Sequence, residues 1–407
     1  MRLSFLPLLL LSITTFAQSR LSARLDSLFH SHPADSPGFV LSIEKKGEIL
    51  YRNAVGVSNI LPKSSHLPAP PVLDTTSNFR MASVTKQFTA MGIFLLEKEG
   101  KLSFDDPLSR WLPELPPHVG QQVLIRHLLT HTSGILDYEW LIPPTQTLQL
   151  LDEDVLHLLS AHDSTYFTPG SKFQYSNSGF CLLALIIERV SHQSFASFIK
   201  DRIFVPLHMD HSFVYDVAWS AVYEGYNIRH RALGFARDSS GKIYLSDQSI
   251  TSATRGDGGV YTSISDYSKW MKALQDNRLI HLAPTLRRLR SPIAGMPESQ
   301  TDQRSVVRRT DISPIRKTGH ISSVDRFSDY YAGGWFTTGS SPLILFHSGS
   351  TCGFSNFVIQ LPGDEWSIFY FSNLADNKGP FRDIVHILQE EGAGDFSPVF
   401  RLHDLTN

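Results

Sequence analysis

Residues 80–88 read Arg-Met-Ala-Ser-Val-Thr-Lys-Gln-Phe and open a predicted helix that runs to about Glu99, with Gly100 as a left-handed cap. Apolar or small residues occupy nearly every side of this helix, which predicts that it is buried in the middle of the protein. Lys86 is unexpected there, because desolvating an ammonium group is costly. It follows Ser83 by three residues and therefore lies on the same helix face. The pair indicates a serine nucleophile beside a group that can help to remove its proton.

The start of this helix offers a second chemical feature. The first N–H groups of a helix have no partner within it, so they can donate to a developing oxyanion. The spacing alone is weak evidence, since Ser-x-x-Lys occurs four times, starting at Ser42, Ser83, Ser197 and Ser239. Taken alone, the simpler interpretation is an N-cap serine with Lys86 extended towards solvent.

The bulk composition is that of an ordinary folded protein. Of the 407 residues, 42% are hydrophobic and 19% are charged, which fits one large domain or two small ones. The net charge of −2 and the pI of about 6.8 give no indication of nucleic-acid or anionic-membrane partners. Basic clusters at 287–290 and 304–317 are interpreted as solvated surface. The expected partner is a small-molecule or peptide substrate, and the oligomeric state stays open.

The N-terminus has the pattern of a signal peptide. Arg2 is the charged start, residues 3–16 form an apolar stretch, and Thr15-Phe16-Ala17 precedes a plausible cleavage site before Gln18. This stretch is too short and too interrupted by Ser and Thr to serve as a final bilayer anchor. We therefore predict a signal peptide at 1–17 and a secreted or periplasmic protein without a stable membrane anchor. An uncleaved anchor is the second interpretation.

The cysteines and histidines indicate neither a disulfide framework nor a metal site. Cys181 and Cys352 are too few for a framework, and they are either buried thiols or one bridge. His127 and His131 have i,i+4 spacing, but no acidic residue lies near enough to complete a zinc site of the usual pattern. We predict no metal and no cofactor.

Strand patterns lie at both ends of the chain, and helix patterns lie in the middle. The first part contains a helix at 21–32, strands at 39–45 and 48–57, and a proline-rich loop at 62–71. The middle contains helices at 150–161, 179–190 and 266–275, the second continuing into another through Phe195 and Phe198. The last part contains strands at 343–347, 354–361 and 366–372 and a closing helix at 383–391.

The simplest assembly of these elements is an α+β fold. An antiparallel sheet built from both termini is flanked by helices, and a mainly helical region is inserted between its two parts. We predict one domain over 18–400, with its sheet region at about 21–105 and 256–400 and its helical region at about 106–255. The helix that carries Ser83 lies at their junction, where clefts are common.

A second candidate segment is Tyr175-Ser176-Asn177, which lies between a predicted turn and a helix. A tyrosine acts as a general base only if its pKa falls well below ~10, which requires a nearby cation. Lys86 could be that cation, and Asn177 could donate to a substrate carbonyl or fix the lysine. Alone, Tyr175 is more simply interpreted as a packed aromatic residue with a satisfied hydroxyl.

A third candidate segment is His347-Ser348-Gly349-Ser350, which ends a predicted strand. Glycine at this point lets a ligand lie against the strand edge, and the N–H of Ser350 could be a second oxyanion donor beside that of Ser83. The similar Lys317-Thr318-Gly319 lies in a polar, arginine-rich stretch with no apolar strand leading into it. We assign that segment to a surface loop.

In this order, Ser83-x-x-Lys86, Tyr175-x-Asn177 and His347-x-Gly349 resemble the three motifs of the serine β-lactamase and penicillin-binding-protein superfamily. The flanks resemble its class C β-lactamase-like branch, and they comprise Leu-Leu-Thr-His-Thr-Ser-Gly at 128–134, Pro-Gly at 169–170, Gly-Gly-Val-Tyr-Thr-Ser at 258–263 and Gly-Trp at 334–335. The resemblance covers residues 21–392. It implies a β-lactamase/transpeptidase-like fold and a serine hydrolase domain.

The resemblance also implies roles for the catalytic residues. Ser83 would be acylated, Lys86 and Tyr175 would share the role of base, and Tyr175 would return a proton to the leaving group. His131, in the turn that contains Ser133 and Gly134, would be structural.

Further roles follow for substrate binding. Asn177 would orient the substrate, His347 and Gly349 would line the opposite wall, and the backbone amides of Ser83 and Ser350 would form the oxyanion hole. His347 departs from the pattern, because β-lactamases of this branch usually have lysine there. A neutral imidazole attracts a β-lactam carboxylate much less than a lysine does.

We therefore predict an exported serine hydrolase that forms an acyl-enzyme at Ser83 on a small ester, an amide or a D-amino-acid peptide. One alternative is a β-lactamase or a D-Ala-D-Ala carboxypeptidase. The other is a non-catalytic receptor that binds cell-wall fragments or β-lactams.

Overall fold

A computed structural model describes residues 20–60, 71–215, 230–290, 330–338, 343–363, 365–392, 396 and 399. Four features named above lie outside these residues: the signal peptide at 1–17, most of the proline-rich loop, the basic cluster at 304–317 and the segment Lys317-Thr318-Gly319.

The described part of the chain contains twelve strands in three sheets. They are β1 Phe39–Lys45, β2 Glu48–Val55, β3 Phe79–Arg80, β4 Phe213–Val214, β5 Phe235–Arg237, β6 Ile243–Leu245, β7 Val260–Thr262, β8 Tyr330–Ala332, β9 Trp335–Thr337, β10 Leu345–Thr351, β11 Phe354–Leu361 and β12 Trp366–Ser372.

Ten α-helices accompany these strands in the described residues. They are α1 at 20–30, α2 Lys86–Lys98, α3 Pro117–Gln122, α4 Ile125–Leu129, α5 Asp152–Ser160, α6 Asn177–Ser191, α7 Phe195–Ile199, α8 Ile264–Gln275, α9 Leu282–Arg290 and α10 Gly379–Glu390.

The main sheet joins the two ends of the chain. Its seven strands are hydrogen-bonded in the order β2-β1-β12-β11-β10-β9-β8, with antiparallel neighbours throughout. Strand β1 pairs with β12 from Phe39 opposite Ser372 to Lys45 opposite Trp366. The predicted α+β architecture, with a sheet built from both termini, is confirmed.

Helices cover both faces of this sheet. The ring of Phe369 in β12 lies 5.0 Å from that of Tyr267 in α8, whereas the next residue, Tyr370, lies 6.1 Å from Phe381 in α10. Consecutive strand residues point to opposite faces, so each face of β12 packs against a different helix layer. This packing explains why β11 and β12 are buried along their whole length and are mostly apolar.

The helix predicted to start near residue 80 is the buried centre of the helical layer. A 3₁₀ turn, Ala82–Thr85, precedes α2, and the first eleven residues of α2 are buried, from Lys86 to Leu96. Gly100 follows with φ +70°, as expected for a left-handed cap.

The structure contains short strands that the sequence did not indicate. Strands β3, β7 and β4 form a small sheet, and β5 pairs with β6 in a hairpin, so the segment expected to be mainly helical also contributes strands. These strands are two or three residues long, which is too short for an alternating pattern to be read.

The two cysteines do not form a disulfide bond. Cys181 is buried in α6, Cys352 is half-buried in the turn after β10, and both thiols are free. Of the two interpretations of the cysteines, the one with two separate thiols is confirmed.

Within the described ranges, no helix has the length and apolar character needed to cross a bilayer.

Candidate active site

Ser83 lies in a turn whose backbone is fixed from two sides. The N–H of Met81 donates to the carbonyl oxygen of Val260 in β7 at 2.9 Å, and the side-chain amide of Asn356 in β11 donates to the carbonyl of Arg80 at 2.8 Å. The residue before the serine, Ala82, has φ +48°, a left-handed conformation that is unfavourable for a non-glycine residue. Such local strain persists only where the surroundings hold the backbone in place.

Gly349 allows strand β10 to lie directly against this turn. A Cβ atom at position 349 would lie 2.1 Å from the carbonyl oxygen of Met81, so a side chain there would force the two segments apart. The next residue, Ser350, is exposed and pairs with Ser355 of β11. The end of β10 therefore lies directly against the turn that carries Ser83.

Lys86 is completely buried, and its amine faces three acceptors. Its Nζ atom lies 3.1 Å from Oγ of Ser83, 2.8 Å from Oδ1 of Asn177 and 3.0 Å from the carbonyl oxygen of Asp257. Three acceptors match the three N–H donors of an ammonium group. A neutral amine would keep two donors for Asn177 and Asp257 and direct its lone pair at the Ser83 hydroxyl.

Two further hydrogen bonds hold the Asp257 carbonyl beside Lys86. The hydroxyl of Thr89 donates to the carbonyl of Gly256 at 2.6 Å, and the N–H of Val260 donates to the hydroxyl of Thr85 at 3.1 Å. Both threonines lie within one helical turn of Lys86, so the 256–260 segment is fixed to the start of α2.

Asn177 is the first residue of α6 and connects the lysine to an acidic side chain. Its Oδ1 accepts from Lys86, and its Nδ2 donates to Oε1 of Glu139 at 3.0 Å. Glu139 lies in a 3₁₀ turn, Tyr138–Trp140, shortly after the 128–134 segment. The amide of Asn177 is thereby held on both sides.

Tyr175 lies near Lys86, and its hydroxyl has no hydrogen-bond partner among the described residues. The Nζ atom of Lys86 is 5.0 Å from the centre of the Tyr175 ring. The ring stacks on Phe336 at 6.3 Å and lies 4.2 Å from the ring of His131. The three motifs therefore lie next to one another, but the tyrosine hydroxyl is not hydrogen-bonded to Ser83 or Lys86 in this structure.

His131 fixes the backbone that carries Tyr175. Its Nδ1 accepts from the N–H of Ser176 at 3.2 Å, and its carbonyl oxygen accepts from the N–H of Gln174 at 2.8 Å. Burial, and then the charge of Lys86, hold the pKa of His131 well below its usual value, so the ring is a neutral acceptor at pH 7. These contacts support the structural role that the resemblance implies.

His347 is fully buried, and both of its ring nitrogens are engaged within the protein. Nδ1 lies 2.6 Å from the carbonyl oxygen of Ser348, and Nε2 lies 3.1 Å from the hydroxyl of Tyr331. Burial lowers its pKa to about 3, and the nearby Lys86 adds to this effect. The ring is neutral at pH 7, donates from Nδ1 to Ser348 and accepts from Tyr331 at Nε2.

Carboxyl groups surround the side of the cleft beside Asn177. Partial burial and the neighbouring charge of Glu139 raise the pKa of Asp137 to about 7. Loss of hydration, and next the charge of Asp257, raise the pKa of Glu139, while Asn177 and Lys86 act in the opposite direction. Asp257 is buried, and its Oδ1 has no partner among the described residues.

Sequence reasoning identified the residues of the three motifs but missed those that hold them. Glu139, Asp257 and Tyr331 contact Asn177, Lys86 and His347, respectively. Their one signal in the sequence is that they lie near the segments that flank the motifs. Asp257, for example, directly precedes the Gly-Gly pair at 258–259. Among the described residues, no three His, Cys, Asp or Glu side chains lie close enough together to bind a metal ion.

Comparison with protein families and characterised proteins adds independent observations. The model of the family described as Beta-lactamase matches residues 25–391. Penicillin-binding protein 4* of Bacillus subtilis is 32% identical over 349 residues, which span 83% of this chain and 68% of that protein. Protein flp of Staphylococcus aureus (strain NCTC 8325 / PS 47) is 27% identical over 83% of this chain and 60% of its own length.

Solved structures share the fold of the chain. A penicillin binding protein from Bacillus halodurans aligns with a TM-score of 0.67 and 24% identity, over 90% of this chain and 98% of that one. The D-amino acid amidase of Ochrobactrum anthropi SV3, complexed with L-phenylalanine amide, aligns with a TM-score of 0.65 and 20% identity, over 92% and 99%. At these identities the likeness concerns the fold alone.

Proposed function

The chain belongs to the beta-lactamase family, and from this premise we propose that it is an exported serine hydrolase that forms an acyl-enzyme at Ser83. Its substrates would be small esters, amides or D-amino-acid peptides. The observation that carries this proposal is the 3.1 Å distance between Oγ of Ser83 and Nζ of the fully buried Lys86. A serine hydroxyl is a weak nucleophile unless a neighbouring base takes its proton.

The first chemical step forms a bond between Oγ of Ser83 and the acyl carbon of the substrate. Lys86 acts in this step as the free amine: Nζ accepts the hydroxyl proton and keeps its contacts with Asn177 and Asp257. Negative charge develops on the former carbonyl oxygen. The backbone N–H groups of Ser83 and Ser350 are the donors that we assign to this oxyanion.

The second step breaks the bond to the leaving oxygen or nitrogen, which must receive a proton. We assign this transfer to Tyr175, because its hydroxyl has no competing partner in the described structure and the centre of its ring is 5.0 Å from Nζ of Lys86. The tyrosine regains its proton from Lys86, which carries the proton taken from Ser83, so both residues return to their starting forms. Apo-enzyme hydrogen bonds are often open and close only with substrate bound. Water then attacks the acyl carbon and gives one proton to Lys86; as the bond to Oγ breaks, this proton passes to Oγ of Ser83 and the acid leaves.

The substrate class follows from the third motif. A buried neutral His347 gives a substrate carboxylate no fixed positive charge, unlike the lysine that β-lactamases of this branch usually have. A D-amino acid amidase has the same fold, so this fold can hold an amide substrate. The relation to a penicillin-binding protein supports the second candidate, a β-lactamase or D-Ala-D-Ala carboxypeptidase.

Export is a further part of the proposal. It rests on the charged start at Arg2, the apolar stretch at 3–16 and the small residue Ala17 before the expected cleavage site. Detection of mature protein that begins at Gln18 in the culture medium or periplasm would support it. Full-length protein in the cytoplasm would contradict it.

The activity is tested by covalent labelling of purified protein. A fluorophosphonate probe should label the wild-type protein, and Ser83→Ala should remove both the labelling and the ester turnover. The matched control is Ser42→Ala, in another Ser-x-x-Lys sequence, which should change neither of them. Labelling that persists in Ser83→Ala would overturn the assignment. A trapped acyl-enzyme without turnover of p-nitrophenyl esters, D-aminoacyl anilides or nitrocefin would instead favour the non-catalytic receptor.

A further inference from the structure

The turn at 255–259 presents a backbone carbonyl to the catalytic amine. The carbonyl oxygen of Asp257 lies 3.0 Å from Nζ of Lys86. A hydrogen bond of 3.0 Å from the N–H of Gly259 to the carbonyl of Arg255 closes the turn. When Lys86 takes up the serine proton, this carbonyl faces a positive charge. Its position therefore affects the stability of the ammonium group that forms during the reaction.

Helices α2 and α6 hold one side of this turn. Thr89, one helical turn after Lys86 in α2, donates from its hydroxyl to the carbonyl of Gly256 at 2.6 Å. Gly256 also lies directly against α6, since a Cβ atom there would be 2.2 Å from the carbonyl oxygen of Phe180. These contacts fix the carbonyl side of the turn, whereas its first N–H groups need acceptors from another element.

The acceptor for these N–H groups is Asp152, the first residue of α5. Its Oδ1 lies 3.4 Å from the backbone nitrogen of Gly256 and 3.2 Å from that of Arg255. Its Oδ2 lies 3.1 Å from the same backbone nitrogen of Arg255 and 2.9 Å from Nε of the Arg255 side chain. The carboxylate is completely buried, and both of its oxygens accept hydrogen bonds from the start of the turn.

The ion pair with Arg255 does not by itself explain a buried carboxylate at this position. Burial raises the pKa of Asp152 to about 7, although the charge of Arg255 acts in the opposite direction. Buried ion pairs are often no more stabilising than apolar side chains of similar volume. Arg255 also contacts two other carboxylates, those of Glu153 and Glu188. What an apolar side chain could not supply here is an acceptor for two backbone N–H groups of the turn.

We propose, building on the function proposed above, that Asp152 is a positioning residue for Lys86. By holding the backbone of the turn at 255–259, it keeps the Asp257 carbonyl within hydrogen-bond distance of the amine while the proton moves. Lys86 takes up a proton in both acylation and deacylation, so both steps depend on this contact. A turn without this acceptor would stabilise the ammonium group less in the transition state and leave substrate binding unchanged.

The test compares two substitutions of similar volume with the wild type, using p-nitrophenyl acetate at pH 8. Asp152→Leu removes the acceptors, and kcat and kcat/KM should fall by the same factor, about ten- to a hundred-fold, with KM unchanged. Asp152→Asn keeps one oxygen acceptor for the turn, so its kcat should stay within about three-fold of the wild type. A purely structural role predicts instead a lower unfolding free energy with an unchanged kcat of the folded protein.

The matched control is Asp106→Leu. Asp106 is also a buried carboxylate that accepts from a backbone N–H, that of Ser103 at 2.9 Å, and pairs with Arg110 at 2.7 Å. It lies in the loop after the C-terminal end of α2, whereas Lys86 begins that helix. Urea unfolding should show a loss of stability in this variant, while kcat should stay at the wild-type value.

Thr89 provides a second test of the same turn, which applies even if Asp152→Leu does not fold. Thr89→Val has nearly the same shape and removes the hydrogen bond to the Gly256 carbonyl, so kcat should fall with KM unchanged. Thr89→Ser restores the hydroxyl and should recover the activity.

Wild-type kcat in folded Asp152→Leu, or in Thr89→Val if Asp152→Leu does not fold, would overturn this inference alone, because Ser83 would still be acylated. An equal fall of kcat in Asp106→Leu would also overturn it. A loss in Asp152→Asn as large as that in Asp152→Leu would reject the backbone contacts as the cause. Absence of ester hydrolysis and of Ser83 acylation in the wild-type protein would overturn the proposed function, on which the inference rests.

Discussion

The hydroxyl of Tyr331 lies 3.1 Å from Nε2 of His347, so the histidine of the third motif forms a hydrogen bond with another side chain of the protein. Nδ1 of the same ring faces the carbonyl oxygen of Ser348 at 2.6 Å. A lysine at this position would present a charge to the substrate, whereas this imidazole is a neutral buried group that joins strands β8 and β10. The third motif therefore contributes the close contact of Gly349 with the Ser83 turn and the exposed Ser350 that follows it.

A first prediction concerns the stability of the protein in acid. Burial lowers the pKa of His347 from 6.5 to about 3, so the unfolded chain takes up this proton first as the pH falls. The stability that the neutral His347 side chain contributes is fully present above about pH 6.5 and is lost as the pH falls towards 3. The contribution of His347 amounts to about 2 kcal/mol between pH 7 and pH 5.

Urea unfolding at both pH values measures this effect. His347→Asn should reduce the loss of unfolding free energy on going from pH 7 to pH 5, whereas the exposed His118→Asn should leave it unchanged. His131 has a pKa that is lowered by the same causes and remains in both variants, so part of the acid sensitivity should persist. Equal pH dependence in His347→Asn and the wild type would contradict the prediction.

A second prediction concerns the close approach of β10 to the nucleophile turn. In Gly349→Ala the new Cβ atom would lie 2.1 Å from the Met81 carbonyl oxygen, which forces strand β10 away from Ser83. We expect a loss of about 1–3 kcal/mol in unfolding free energy together with loss of ester hydrolysis. Gly363→Ala is the control, since nothing lies within 4 Å of a Cβ atom there. If both variants behave alike, the close approach is not what Gly349 provides.

A third prediction separates the catalytic and packing interpretations of Tyr175. Its hydroxyl makes no hydrogen bond with the described residues, so Tyr175→Phe should keep its unfolding free energy while kcat falls by about 10²–10⁴-fold. Tyr370→Phe should do the reverse, losing about 1 kcal/mol through its bond to the Asn377 carbonyl but no activity. Full activity in Tyr175→Phe would show that the ring serves packing alone.

A fourth prediction concerns the buried lysine. Lys86→Met removes the group that accepts the Ser83 proton and should lower kcat/KM for p-nitrophenyl acetate by about 10²–10⁴-fold. Lys98→Met, at the other end of the same helix, should retain activity, because its exposed amine donates to the Leu279 carbonyl at the surface, far from Ser83. Circular dichroism checks that both variants are folded. Wild-type activity in Lys86→Met would exclude the lysine as the base.

The parts of the fold that could be predicted are those with long, regular patterns. The buried helix after Ser83 and the strands at 39–45, 354–361 and 366–372 each give a continuous apolar or alternating signal over seven or more residues. Strand β4 at 213–214 gives no such signal, because it is ordered by its partner β7 and not by its own sequence.

The same distinction applies to the site. Ser83, Lys86, Tyr175 and His347 belong to motifs whose order along the chain can be read directly. Glu139 carries no local signal, because its importance comes from one hydrogen bond to a residue 38 positions away. The burial of His347 could not be read from the sequence either, since it depends on aromatic residues from another strand.

The central claim is that Ser83 becomes acylated with the help of Lys86. Intact-mass spectrometry after mixing the protein with fluorescent penicillin or a slow ester, followed by peptide mapping, tests it most directly. We predict one acyl group per chain on the peptide that contains Ser83, and no adduct in Ser83→Ala or Lys86→Met. An adduct on another residue, or an adduct that forms equally fast in Lys86→Met, would contradict the account.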